Sequence, residues 1–119
     1  MGAAGRVIDF PPEHPRLAAP GSTTLVCVVT DGRLARAEAG VVARMAHAGL
    51  ARAVSPSHTP FDWDAVFCLA TGTTPASPFS VGVAAAEATS AAIRDAVRRA
   101  TSVRGVPTAA DRSSVRRHD

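Results

Sequence analysis

Tyrosine and lysine are both absent from the 119-residue sequence, and aromatic side chains amount to only 4% of it. A core without bulky rings has to be built from small residues, and alanine dominates the 46% hydrophobic fraction. Burial stabilises by about 25 cal/mol per Å² of apolar surface, while ordering the chain opposes folding by a total of similar size. Alanine offers little area on that scale, so the expectation is a marginal fold that needs a further surface to pack on. Long apolar runs are missing as well. None reaches the ~20 residues of a membrane span, and the opening MGAAGRVIDFPPEHP lacks the apolar segment of a secretion signal. A cytoplasmic protein with no membrane partner is expected.

Cysteine is scarce too. Cys27 and Cys68 stand alone inside apolar runs without CxxC spacing, which argues against a zinc site and for buried free thiols in a reducing compartment. All thirteen basic residues are arginine, and the formal net charge is +3. Arg112, Arg116 and Arg117 lie near the end beside Asp111 and Asp119. No aromatic residue is interleaved there to stack on bases. The tail therefore reads as a solvated terminus, and nucleic acid is not an expected partner.

Residues 1–22, rich in proline and glycine, read as an irregular arm. The run from Thr23 to Thr30 is β-branched and apolar throughout, which predicts a strand buried on both faces, ended by the turn chemistry of Asp31-Gly32. Leu34 to Val54 contains no proline and predicts a helix, with Val41, Val42, Met45, Gly49 and Ala53 on one stripe and Arg36, Arg44 and His47 opposite. Ser55-Pro56 closes it. A loop, Ser57 to Asp64, precedes a second buried strand from Ala65 to Thr71, and residues 72–78 form another loop. Ser80 to Val103 predicts a second helix, with Ser80 as N-cap and Ala84, Ala88, Ala91, Ala92, Ile93 and Val97 as its packing face. Gly105-Val106-Pro107 ends it, and 108–119 reads as a disordered basic tail. The order strand, helix, strand, helix gives an α/β or α+β layered class and, by pattern alone, nothing more specific.

Three segments taken together carry more. They are Thr23-Thr-Leu-Val-Cys-Val-Val-Thr-Asp31, Met45-Ala-His-Ala-Gly-Leu-Ala-Arg-Ala53 and His58-Thr-Pro-Phe-Asp-Trp-Asp-Ala-Val-Phe67. In this order they resemble the C-terminal, nucleophile-bearing part of the L-aminopeptidase/D-esterase (DmpA-like) peptidases, which include β-peptidyl aminopeptidases and nylon-oligomer hydrolases. The resemblance runs from about Thr23 to Pro107, making 23–107 a small-subunit-like catalytic portion. It implies a partial αββα sandwich and an enzyme that cuts itself before a Ser or Thr, which then becomes an N-terminal nucleophile.

By the same resemblance, the nucleophile is Thr23 and the cleavage site is Ser22-Thr23; a register with Ser22 as nucleophile stays open. Asp62 and Asp64 match the family's two acidic residues, expected to orient the Thr23 amine and hydroxyl, with Thr24 a supporting hydrogen-bond candidate. A freed α-amine, with a pKa of about 8, can act as base towards the hydroxyl. Read without the resemblance, Thr23 is an ordinary strand-initial threonine, the two aspartates form Asx turns, and His47 and His58 are surface or structural histidines.

The sequence also departs from the family. Ser22 stands where Asn or Gly is usual, and Trp63 stands between the aspartates where a small residue is usual, so its indole either lines, covers or blocks a substrate pocket. Only 22 residues precede Thr23, whereas the family has a long N-terminal portion there. The expectation is an aminopeptidase-type hydrolase of short peptides or amides that works without metal or organic cofactor. It would be present as a fragment or small subunit and completed by a large-subunit-like N-terminal portion or by self-association through sheet edges. The alternatives are an inactive truncated paralogue and a small interaction module.

Overall fold

The computed structural model describes residues 23–111. The arm, Ser22 and the arginines of the tail lie outside the described residues. The order is β1 (Leu25–Arg33), α1 (Arg36–Ala53), β2 (Ala65–Pro75) and α2 (Pro78–Arg99). The strands pair in parallel, Leu25 opposite Ala65 through Thr30 opposite Ala70. The fold is thus mixed α/β, a two-stranded parallel sheet with α1 as the crossover.

Both strands run past their predicted ends. After Thr30 the register shifts, and pairing resumes at Gly32 opposite Thr74 and Arg33 opposite Pro75. Side chains bridge the irregularity: the Thr73 hydroxyl donates to the Asp31 carbonyl (3.2 Å) and the Thr74 hydroxyl to the Asp31 carboxylate (2.8 Å). Gly72 absorbs the extra length at φ 78°, a left-handed conformation suited to glycine. Asp31-Gly32 therefore stays within the pairing, opposite a bulge at residues 71–73 of β2, rather than forming a turn that stops it.

Among the described residues the strands are covered on one face only, contrary to the expectation of burial on both. Val28, Val66 and Cys68 point inward and pack on Val42, Ala46 and Ala85 of the helices. The alternate positions point outward and are open, with Leu25 70% and Phe67 62% exposed and Val29 and Leu69 similar. Cys27 lies exposed on that open side, contrary to the buried thiol expected, while Cys68 is partly buried; both are free. Both helices cover one face only.

The helix faces are also rotated from the predicted ones. In α1 the buried residues are Val42, Ala46, Gly49 and Leu50, and Val41 is exposed. In α2 they are Gly82, Ala85, Ala86, Thr89 and Ser90, while Ala84, Ala88, Ala91, Ala92 and Val97 face out. The two helices approach closely at glycines. A Cβ on Gly82 would strike the Met45 side chain, and one on Gly49 would strike the Ala86 carbonyl and approach Thr89. Side-chain size, more than hydrophobicity, chose these faces. The N-cap of α2 is Ser77, with Pro78 in the first turn, rather than Ser80. The helix ends at Arg99, before a turn in which Val106 N–H donates to the Val103 carbonyl (3.0 Å). Within the predicted tail, Thr108 to Asp111 are held by bonds from the Thr108 N–H and hydroxyl to the Asp111 carboxylate (2.8 and 2.7 Å).

Candidate functional site

The parallel pairing brings the start of β1 beside the start of β2, so the loop before β2 comes back to the residues before β1. Ala65 N–H donates to the Thr24 carbonyl at 3.0 Å. One residue earlier, Asp64 reaches across with its side chain: its Oδ1 accepts the Thr24 main-chain N–H at 2.9 Å. Thr24 is thus clamped through both backbone groups. The bond to Asp64 is made by the Thr24 backbone amide, and the carboxylate comes from 40 positions away in sequence.

The other carboxylate oxygen of Asp64 is also engaged. His58 Nδ1 lies 3.2 Å from Oδ2, with the Asp64 side chain 6% exposed and His58 39% exposed. The ring of His58 rests against that of His47 on α1, centroids 4.9 Å apart and planes tilted by 57°. Neither histidine is a free surface group, and sequence reasoning missed their place at this corner. The one signal available was a histidine six positions before an aspartate in a short loop, which is weak by itself.

Asp62 does something different. Its Oδ2 accepts the Thr59 N–H at 2.7 Å, and its own N–H donates to the Thr59 carbonyl at 3.0 Å. This local turn is the plain reading that the sequence allowed. The Thr59 N–H, the Thr59 hydroxyl and, more weakly, His58 hold the Asp62 carboxyl below its ordinary range. Trp63, between the two, is 75% exposed, so its indole is left open among the described residues. Thr23 is exposed at the edge of the described residues, covalently next to the clamped Thr24. The structure therefore joins Asp64 to the start of β1 and leaves Asp62 in its own loop. Among the described residues, no three His, Cys, Asp or Glu side chains are grouped as a metal cage, and no helix is long and apolar enough to cross a membrane.

The model of Peptidase family S58 matches residues 4–110. The chain belongs to peptidase family S58. This is the DmpA-like aminopeptidase family that the three segments resemble. Among curated relatives, an uncharacterized aminopeptidase of Mycobacterium bovis is 36% identical over 107 residues, covering 77% of this chain and 31% of the relative. One from Mycobacterium tuberculosis matches equally, at 36% over 107 residues, with the same 77% and 31% shares. One from Mycobacterium leprae is 38% identical over 102 residues, covering 73% of this chain and 28% of its own length. The chain thus spans about a third of the relatives it matches. No solved structure matches it. Within family S58, the matched region includes the Asp64–Thr24 clamp, the histidine pair and the open sheet face.

Proposed function

We propose that this chain is the nucleophile-bearing part of a family S58 aminopeptidase, with Thr23 as the N-terminal nucleophile exposed by cleavage of the Ser22–Thr23 bond. The observation that carries the reading is the hydrogen bond from Thr24 N–H to Asp64. It ties one of the two acidic residues to the residue following the nucleophile. The relatives' names supply the aminopeptidase class.

Self-cleavage runs through attack of Thr23 Oγ on the Ser22 carbonyl carbon. The Ser22–Thr23 amide breaks, the acyl group passes to Oγ, and the Thr23 nitrogen gains a proton as a free amine. Water then hydrolyses the ester and releases residues 1–22. In turnover, that amine takes the Oγ proton as Oγ attacks a substrate amide; the leaving amine picks up the proton and an acyl-threonine remains for water to hydrolyse. Substrates of this chemistry are short peptides or amides with a free amino group. Asp64 contributes by fixing the chain next to the nucleophile, which limits the entropy lost on attack. Trp63, exposed beside Asp64, is available to line the substrate side.

The reading includes a partner. Each missing oxyanion donor lowers the rate by about 10²–10³, so turnover needs groups from a large-subunit-like portion. The open apolar face of Leu25, Val29, Phe67 and Leu69 suits a second sheet, which would complete an αββα sandwich. A second reading, a family member that docks but does not turn over, is favoured by the commitment of Asp62 to Thr59.

Intact mass spectrometry after incubation near neutral pH, alone and with a large-subunit portion from a relative, tests the proposal. Release of residues 1–22, abolished by Thr23→Ala, and amide hydrolysis that appears with it are expected. A full-length mass under both conditions would remove the nucleophile reading.

A further inference from the structure

We propose that His58 is a positioning residue of this site: its imidazole locks Asp64 in the rotamer that receives the Thr24 main-chain N–H, and so sets the peptide plane from which Thr23 projects. This rests on the reading of Thr23 as nucleophile.

A carboxylate as enclosed as Asp64 is tolerated when its oxygens are paired. Here they divide the work, Oδ1 to Thr24 N–H at 2.9 Å and Oδ2 to His58 Nδ1 at 3.2 Å. With Oδ2 unpartnered, the carboxylate is free to turn towards water about its two side-chain torsions and release Thr24. With Oδ2 held, Oδ1 has one direction left. The Thr24 N–H belongs to the same rigid plane as the Thr23 carbonyl and Cα. Fixing that plane leaves Thr23 only its rotation about Cα–C and its side-chain torsion to align amine and hydroxyl.

His58 is itself held. Its φ is 56°, a left-handed conformation that is uncommon outside glycine, though histidine and asparagine are enriched there. The ring leans on His47, 4.9 Å away on the core helix α1, so the packed helix layer supports His58, His58 supports Asp64, and Asp64 supports Thr24. The groups facing His58 are Asp64, the attractive carboxylate of Asp62, and His47 from α1. The Asp64 contact requires a proton on Nδ1, which both the neutral Nδ1–H tautomer and the imidazolium supply. The positioning therefore needs the donor and not the charge, and this separates it from a simple ion pair.

The test is amide hydrogen exchange by NMR on the full chain, comparing wild type, His58→Ala and His58→Asn at one pH. Asparagine tolerates the left-handed backbone and places an uncharged N–H donor near the position of Nδ1. The Thr24 amide should exchange about tenfold faster in His58→Ala, as expected for loss of a charged hydrogen bond, and return towards the wild-type rate in His58→Asn. The Ala65 amide, bonded to the Thr24 carbonyl, reports whether the strand start survives and should hold in both variants. Thr24 exchange unchanged in His58→Ala overturns the proposal. So does a His58→Asn protein in which Thr24 stays fast, whether Ala65 holds or is lost with it. Mass spectrometry of the same samples separates this from the nucleophile reading. Thr24 coupled to His58 without release of residues 1–22 sinks the nucleophile and keeps His58 as the holder of Asp64. Release with Thr24 unmoved in His58→Ala does the reverse.

Discussion

Asp62 and Asp64 are two residues apart and take opposite tasks, one closing its own loop and the other reaching across to β1. Because Thr59 and His58 depress the Asp62 pKa below its ordinary 3.8, the carboxylate's contribution to the loop is complete above that pH and is lost as pH falls through the folded-state value. Protection of the Thr59 amide, measured by hydrogen exchange, is expected to be flat from neutrality to about pH 5 and to decline in more acid solution. Asp62→Asn, which keeps an acceptor but no charge, should remove that pH dependence. The thiols divide in the same local way. Burial, with Cys27 nearby, pushes the Cys68 thiol up, so less of it is thiolate at a given pH, whereas Cys27 lies open. Labelling of the dilute, monomeric chain with an alkylating reagent at mildly alkaline pH should modify Cys27 first, and mass mapping showing Cys68 first would contradict this orientation of β1. At this scale the sequence was informative about identity and poor about partnership. The resemblance singled out Asp64, and the structure bonds it to the Thr24 N–H. The contacts of His58 with Asp64 and His47 were not legible, since they depend on the conformation of the loop.

At the scale of elements, strand and helix order was legible because runs of β-branched residues and proline-free alanine-rich stretches have different periods and breakers. The helix faces were not. Alanine on every side gives no contrast in hydrophobicity, so the choice fell to the positions where two helices approach closely. Two substitutions separate these effects. Alanine in place of glycine favours a helix interior by about 1 kcal/mol. At Gly49 the new methyl meets the Ala86 carbonyl, which is backbone and cannot move aside. Gly49→Ala should therefore be destabilising by about 1–3 kcal/mol net. At Gly82 it meets the Met45 side chain, which has three torsions to yield with, so Gly82→Ala should lie within about 1 kcal/mol of wild type. Urea unfolding midpoints check the order; a Gly49→Ala protein as stable as Gly82→Ala would mean that the two helices do not pack this closely.

For the molecule as a whole, the sequence demands a cover that the described residues do not supply. Its strands are apolar on both faces, yet two helices cover one face, and the alternation Leu25, Cys27, Val29 against Phe67 and Leu69 is left open. An apolar sheet face seeks cover, from a second sheet or from another copy. Val29 and Leu69 are direct cross-strand partners, so Val29→Arg with Leu69→Glu replaces an apolar pair by an opposite-charge pair and leaves the two-strand sheet supported. The wild-type chain is expected to associate with itself in a concentration-dependent way, or with a large-subunit portion when one is added. In both cases Cys27, on the same face, should lose its reactivity as the complex forms. The double variant should remain monomeric in sedimentation velocity, keep Cys27 reactive with or without the added portion, and retain its helical circular dichroism. A variant that associates as wild type does would show that the cover lies elsewhere, on the sheet edges or the outer helix faces, and the open face would then have to be explained by something other than a missing layer.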